Sequence, residues 1–271
     1  MTPTAPPARL DVERVLASID TMAAQKPVAA QVVALTSADD TSAKDLAAIL
    51  AGDLALASRV LKLANSAYFG MRGRVSSLQF AIAVVGFMTV RTMATVALTD
   101  LDDESRLPED FWLTGTHLAQ AAAILGPRFG TRAPDALCLG VLAQLGAALL
   151  HHDDPEGYAA LVADHPDPPG RRLAEEQRYG IHALRLSAVA LEHWGFPIRM
   201  ISALQHVDDL TAPDGALLRV SFEVAARLSG RPHDPVPVGR LCSGLLGEDA
   251  LPVVLERVRA EAEELRLALL G

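Results

Sequence analysis

Aromatic residues are scarce in this sequence: they make up 4% of its 271 residues, whereas apolar residues make up 50%. The core must therefore consist mainly of alanine, leucine and valine. Because alanine and leucine lead the helix-propensity ranking, the composition favours an all-α protein of one large domain or two small ones. Valine-rich stretches such as AIAVVGF resemble strands by composition, but their helical flanks lead us to expect helix there too.

Cysteine is nearly absent, and so is any long apolar run. Cys138 and Cys242 have no CxxC partner, which predicts no disulfide framework and fits a reducing compartment. The most apolar window, residues 136–150, is interrupted by Gln144 and is shorter than the roughly 20 residues of a membrane span. The segment MTPTAPPARL lacks the regions of a signal peptide. We therefore expect a soluble, cytoplasmic protein with no membrane partner.

The sequence also has no run of basic residues. Its net charge is −9, and the nearest basic pair, Arg171-Arg172, is typical of ordinary surface. An acidic chain without a basic patch is repelled by nucleic acid, so we expect no DNA partner.

Familiar catalytic and cofactor motifs are missing as well. The sequence contains no GxSxG, GxGxxG, GxxxxGK[ST] or HExxH string. The patterns typical of α/β-hydrolases, dinucleotide-binding folds, P-loop enzymes and zincin proteases are therefore absent. We expect no cofactor and no bound metal.

The stretch HHDD at residues 151–154 is the most conspicuous candidate for a metal site. Adjacent residues on a helix point about 100° apart, so only one histidine and one aspartate of the four can easily share an ion. We favour a polar helix end, because histidines interact well with the negative end of the helix dipole.

Three further histidines stand alone in the sequence. His117 lies among alanines within a predicted helix, where a core or boundary role is more common than a ligand role. His182 and His206 lie on separate predicted helices, 24 residues apart, and spacing alone does not decide whether they meet.

The string LKLANSAYFG is the most unusual local feature. Asn65 and Ser66 end an apolar helix and lead into Tyr68 and Gly70. A helix C-cap explains Asn65 or Gly70 but not the whole string. We expect the Asn65 amide to hold the loop backbone.

Several strings together resemble the HDOD domain, the HD-related output domain of bacterial signalling proteins. They are DLALASRVLKLANSA (Asp53 to Ala67), SSLQFAIAVVG (Ser76 to Gly86), the triplet Thr89 to Arg91, FWLTGTHLAQAAAIL, and the closing segment from His182 with Leu191, Trp194 and Pro197. The resemblance implies an all-α, multi-helix HD-like bundle with additional C-terminal helices. It divides the chain into a lead and first helix (1–25), an HDOD-like domain (26–210) and a helical extension (211–271) packed on or continuing that domain.

The resemblance also implies that a metal site has been lost. The related HD phosphohydrolases hold their metal with a histidine on the helix of Trp112 and a His-Asp pair on the helix of Leu139. The matching positions here are Thr114, Ala143 and Gln144. The pair His152-Asp153 comes nine residues later, about 13 Å along a continuous helix, so it cannot replace the lost pair.

We therefore expect a non-enzymatic output or scaffold protein that acts on signalling protein partners, with a homodimer as a candidate assembly. One alternative is a nucleotide-binding module, for example for cyclic dinucleotides, in which Arg91, Arg72 or Arg74 meets phosphate. The other is a divergent metal-dependent phosphohydrolase. The candidate binding or structural residues are Asn65, Ser66, Tyr68, Arg91, His117, His182, Trp194 and His206.

Overall fold

The computed structural model describes residues 10–36, 41–104, 107 and 111–270, and its regular structure in these ranges is helical with no strand. The fold class is therefore all-α, as the composition predicts. The helices are α1 (Val12–Gln25), α2 (Pro27–Leu35), α3 (Ala43–Leu50), α4 (Leu54–Ala64), α5 (Leu78–Val85), α6 (Phe87–Leu98), α7 (Phe111–Leu125), α8 (Ala133–Leu142), α9 (Leu145–Asp153), α10 (Pro155–Asp164), α11 (Pro168–Tyr179), α12 (Ala183–His193), α13 (Ile198–Gln205), α14 (Ala216–Leu228), α15 (Val238–Leu241) and α16 (Leu251–Leu270).

Side-chain caps fix the starts of several helices, among them α3, α4 and α5. Ser42 accepts a hydrogen bond from a backbone N–H in the first turn of α3, and Asp53 accepts two from the first turn of α4. Ser77 does the same for α5. Each cap satisfies backbone donors that have no partner within the helix, so these helix starts are set by local sequence.

Helix α7 lies at the centre of the fold and packs against α8, α14 and α16. Small residues allow this close packing: a Cβ atom on Gly140 of α8 would lie 2.5 Å from the Cα atom of Ala119 on α7. The buried residues are mostly alanine, leucine and valine, as the low aromatic content predicts.

A break separates α8 from α9 at Ala143 and Gln144. The Ser187 hydroxyl bridges it, donating to the carbonyl oxygen of Ala143 at 3.1 Å and accepting from the N–H of Gly146 at 2.7 Å. The expectation of one continuous helix from this point to His152 is therefore wrong, because Ser187 of α12 supplies partners for backbone groups that leave the helical pattern.

The C-terminal helix α16 packs along α7 and also contacts α4. One face of α16 is buried: Leu251, Val254, Val258, Ala262, Leu265, Ala268 and Leu269. This apolar stripe packs on the chain's own helices.

The first helix begins at Val12, and the lead that the prolines predict at residues 1–9 lies outside the described residues. Among the described residues, the segment Ala133–Asp153 across α8 and α9 has the length and apolarity of a membrane span, and 72% of its most apolar part is buried inside the protein. Helices α5 and α6 pass the same test only when counted together, although they meet at 105°. The burial of α8 and α9 is that of core helices.

Candidate functional site

A pocket with a volume of about 100 Å³ lies beside the break between α8 and α9. We call it the α11 pocket. Thr114 of α7 lines it together with Ala143 and Gln144 at the break, and α11 contributes Arg171 and Glu175. The three positions that the resemblance assigns to lost metal ligands therefore lie around one concave site.

Charged side chains give this pocket its polar character. Arg171, Arg172 and Glu175 project from one face of α11, and Arg231 and His233 reach it from the loop after α14. Arg171 and Arg172 are half-buried, so the interpretation of this pair as ordinary surface is wrong. The sequence did contain a sign of this arrangement. Arg171 and Glu175 are four residues apart, and residues at that spacing share one face of a helix.

Glu175 is almost fully buried, with 1% of its surface exposed. Its Oε1 atom accepts a hydrogen bond from the Tyr158 hydroxyl at 2.9 Å, and its Oε2 atom accepts one from the N–H of Ala183 at 2.7 Å. Burial raises the pKa of this carboxyl, and the two hydrogen bonds offset only part of that effect. Both oxygens are thus engaged in joining α10 and α12 to α11.

Backbone carbonyl groups hold the Arg171 guanidinium in place. Its Nε and Nη2 atoms donate to the carbonyl oxygens of His165 and Pro166, both at 3.1 Å. Burial lowers the pKa of Arg171, and the nearby Tyr158 and Glu175 act in the opposite direction. A guanidinium has five N–H donors, so the two carbonyl groups leave three of them unused.

The side chains at the three former ligand positions do not fit a divalent metal. Thr114 offers a hydroxyl, Ala143 offers no donor atom, and Gln144 offers a neutral amide, whereas hydrolytic metal sites need imidazole or carboxylate ligands. Within the described parts of the chain, no three His, Cys, Asp or Glu residues are grouped as a metal site requires.

His182 and His206 have separate structural roles. The His182 Nδ1 atom accepts from the N–H of Arg185 at 3.3 Å and caps α12, and its Nε2 atom lies 3.6 Å from Asp208. Burial lowers the pKa of His182, an effect that Asp208 partly offsets. The exposed His206 bonds through Nδ1 to the carbonyl oxygen of Ser202 at 3.0 Å. Neither imidazole lines the α11 pocket.

His117 occupies the core rather than the pocket. It is 7% exposed on α7, and its buried Nδ1 atom has no hydrogen-bond partner among the residues that the structure describes. Burial lowers the pKa of this imidazole, and the charge of Arg259 on α16 lowers it further. The neutral form therefore predominates at pH 7.

Arg91 and Trp194 meet at the turn between α12 and α13. The buried Arg91 donates to the carbonyl oxygens of Trp194 and Gly195, and its guanidinium lies 4.0 Å from the centre of the Phe196 ring. Burial lowers the pKa of Arg91 to about 10, so the side chain stays charged at neutral pH. Arg91 is 3% exposed and does not line the α11 pocket, so its position in the core gives no support to the alternative in which it meets phosphate.

The other two arginines named for phosphate binding, Arg72 and Arg74, are exposed on the loop before α5, and neither lines the α11 pocket. Arg72 lies 3.5 Å from Glu264 of α16. None of the three arginines named for phosphate binding therefore lines this pocket.

The residues of the string ANSAYF hold the turn after α4. The Asn65 amide forms hydrogen bonds of 2.8 and 3.0 Å with the backbone of Val75, which confirms that it holds the loop backbone. Ser66 donates to the carbonyl oxygen of Leu63 at 2.7 Å. Tyr68 lines a separate cavity of about 550 Å³ beside α16. Its buried hydroxyl has no hydrogen-bond partner within the described part of the chain, and burial raises the pKa of this tyrosine.

The HHDD stretch makes structural contacts at the end of α9. Asp153 forms an ion pair with Arg14 at 2.5 Å. Asp154 caps α10 and also accepts hydrogen bonds from Arg178 and Tyr179. These contacts join α1, α10 and α11 at a polar helix end, the arrangement that we favoured.

Comparisons with known proteins agree with this architecture. Residues 22–210 match the HDOD domain. An uncharacterized protein of Treponema pallidum (strain Nichols) is 24% identical over 215 residues, which are 73% of this chain and 41% of that protein. The chain thus spans less than half the length of this curated relative.

Solved structures share the fold at low sequence identity. A candidate phosphohydrolase from Shewanella amazonensis SB2B has a TM-score of 0.67 at 22% identity, with 90% of this chain and 93% of that chain covered. A candidate signal transduction protein from Marinobacter aquaeolei VT8 has a TM-score of 0.65 at 19% identity, over 90% and 59% of the two chains. An HDOD domain protein of unknown function from Geobacter sulfurreducens has a TM-score of 0.60 at 17% identity, over 96% and 98%.

Proposed function

The chain belongs to the HDOD domain family, and we propose that it is a non-catalytic output or scaffold protein of bacterial signal transduction that acts by binding other proteins. The observation that carries the proposal is the chemistry of the α11 pocket. Thr114, Ala143 and Gln144 line this pocket, and they are the positions that the resemblance matches to the metal ligands of HD relatives. None of the three side chains is a strong ligand for a divalent ion.

This chemistry removes the usual route to hydrolysis in an HD-type site. There, a bound metal lowers the pKa of a water molecule and stabilises the charge that develops on phosphate. Glu175 does not replace the missing ligands, because Tyr158 and Ala183 engage both of its oxygens. The buried thiols of Cys138 and Cys242 fit a reducing cytoplasm, where we place the protein.

Metal analysis and activity assays of the purified full chain test the non-catalytic half of the proposal. We expect no stoichiometric divalent ion and no phosphodiesterase or phosphatase activity with added Mn²⁺ or Ni²⁺. A stoichiometric ion that is lost in His182→Ala, together with activity, would instead establish the divergent phosphohydrolase.

Affinity capture with cross-linking in the native cell tests the interaction half. We expect a defined signalling protein to co-purify at constant stoichiometry, and its binding to be reproduced with purified components. Size-exclusion chromatography with light scattering in the same preparation determines whether the chain also forms a homodimer. Failure to reproduce any captured contact with purified proteins would reject the interaction function.

A further inference from the structure

The α11 pocket concentrates positive charge in a protein of net charge −9. Arg171, Arg172 and Arg231 line it, and Glu175 is the one acidic side chain among its described lining residues. Since both Glu175 oxygens already accept hydrogen bonds from the protein, this carboxylate offers little to a ligand. A concave site lined by several cations favours an anion.

Arg171 is the residue best placed to bind that anion. It is half-buried, it forms no ion pair with any described residue, and two backbone carbonyl groups fix its guanidinium. Its remaining N–H donors suit an oxyanion, because a guanidinium forms paired hydrogen bonds with phosphate. A guanidinium held in place in advance also loses little conformational entropy on binding.

Arg172 contributes charge at the mouth of the pocket. Its Nε atom donates to the exposed Asp208 carboxylate at 2.7 Å. Arg172 also lines a neighbouring groove of about 680 Å³, together with Phe222 and His233, which both sites share. The pocket and the groove therefore share part of their lining.

The two volumes restrict the ligand. Pockets that enclose a whole drug-sized molecule measure roughly 300–1,000 Å³, so the α11 pocket, at about 100 Å³, is too small for an entire dinucleotide. It has room for a single oxyanion group. The groove beside it is large enough for an organic body. Apolar side chains line it, among them Val207, Leu210 and Phe222, and so do the carboxylates of Asp167, Asp208, Glu223 and Asp234, so it suits a neutral organic group and not a second anion.

We propose that the α11 pocket binds the phosphate group of a small phosphate monoester, anchored by Arg171 and assisted by Arg172, with the organic part of the ligand in the groove. Thr114 and Gln144 supply polar contacts on the opposite side. This site uses different arginines from those that the sequence suggested. It does not depend on the protein-binding function, since a scaffold protein can carry a ligand site of this kind.

Titration of the full chain with inorganic phosphate, AMP and cyclic di-GMP tests the site, with binding followed by NMR and calorimetry. We expect inorganic phosphate to bind with a Kd on the order of millimolar and AMP to bind more tightly, because its organic part adds apolar contact in the groove. Cyclic di-GMP should bind more weakly than AMP, because its phosphates are diesters within a ring.

Matched variants locate the binding. Arg171→Gln should weaken AMP binding about tenfold or more, because a charge-assisted contact is lost. Arg178→Gln makes the same change on the exposed part of α11, where Arg178 pairs with Asp154, and it should bind AMP like the wild type. Gln144→Glu places a negative charge in the pocket without altering Arg171, and it too should weaken AMP and phosphate binding.

Three outcomes would overturn the proposal: no binding of phosphate or AMP, equal affinity in Arg171→Gln and the wild type, or equal affinity in Gln144→Glu and the wild type. Circular dichroism and melting curves confirm that each variant is folded before its affinity is compared. Protein capture is measured separately, so a failed anion site and a failed interaction function give different results.

Discussion

The side-chain amide of Asn65 forms two hydrogen bonds with the backbone of Val75, ten residues later in the chain. Nδ2 donates to the Val75 carbonyl oxygen at 2.8 Å, and Oδ1 accepts from the Val75 N–H at 3.0 Å. One amide therefore closes the loop between α4 and α5. It donates one hydrogen bond to Val75 and accepts one from it, as two paired residues of neighbouring antiparallel strands do. Aspartate has the same shape but lacks the donor.

Asn65→Ala should lower the free energy of unfolding by about 1–3 kcal/mol, because it leaves the backbone groups of the buried Val75 without partners. Urea denaturation measures the change. Asn65→Asp keeps the acceptor but loses the donor to the Val75 carbonyl oxygen, so it should also lower the free energy of unfolding. Unchanged stability together with altered partner binding would assign Asn65 to a functional surface instead.

Gly146→Ala should destabilise the protein by about 2 kcal/mol or more. A Cβ atom at this position would lie 1.9 Å from the carbonyl oxygen of Ala183, so α9 and α12 would have to separate. The control is Gly115→Ala in α7, where the added atom meets only ordinary contacts at 3.5 and 3.7 Å. That change should be neutral or stabilising by up to about 1 kcal/mol. Equal melting temperatures for the two variants would contradict this packing.

Arg91→Met should cost about 2–3 kcal/mol, because the carbonyl groups of Trp194 and Gly195 lose a charged donor. Thermal and urea unfolding measure the loss. The same change at the exposed Arg72 should stay within about 0.5 kcal/mol of the wild type. AMP affinity provides a second readout: folded Arg91→Met should keep it, and selective loss of AMP binding at full stability would restore a ligand role for Arg91.

His117 should make the protein less stable in mild acid. Its folded-state pKa is lowered by burial and by Arg259, whereas the unfolded value is about 6.5. The unfolded chain therefore takes up the proton first, so the contribution is fully present above pH 6.5 and is lost as the pH falls toward the folded pKa. His151 and His182, whose pKa values burial also lowers, act in the same direction.

His117→Leu should therefore reduce the decline in the free energy of unfolding between pH 7 and pH 5, measured by urea denaturation at each pH. His165→Leu, at an exposed site, is the matched control. An identical pH dependence in His117→Leu and the wild type would show that this imidazole is not held neutral by the fold.

The sequence alone determined the features that rest on local physics. Alanine- and leucine-rich composition predicted the all-α fold. Ser42, Asp53 and Ser77 cap helix starts within their own local sequence, because a cap acts on backbone groups two or three residues away. The family strings placed Thr114, Ala143 and Gln144 at the former metal site, and the structure brings all three to one pocket.

Only the tertiary structure decided which distant side chains meet. The tertiary structure placed Arg171 in a pocket and Arg91 in the core. Both arginines lie within helical segments, so the local sequence did not distinguish their surroundings. The tertiary structure also broke the helix at Ala143, where Ser187, 44 residues away, replaces the missing helical partners. The burial of a charged side chain and its hydrogen-bond partners depend on which helices pack against each other. A local sequence pattern does not specify the neighbouring helix.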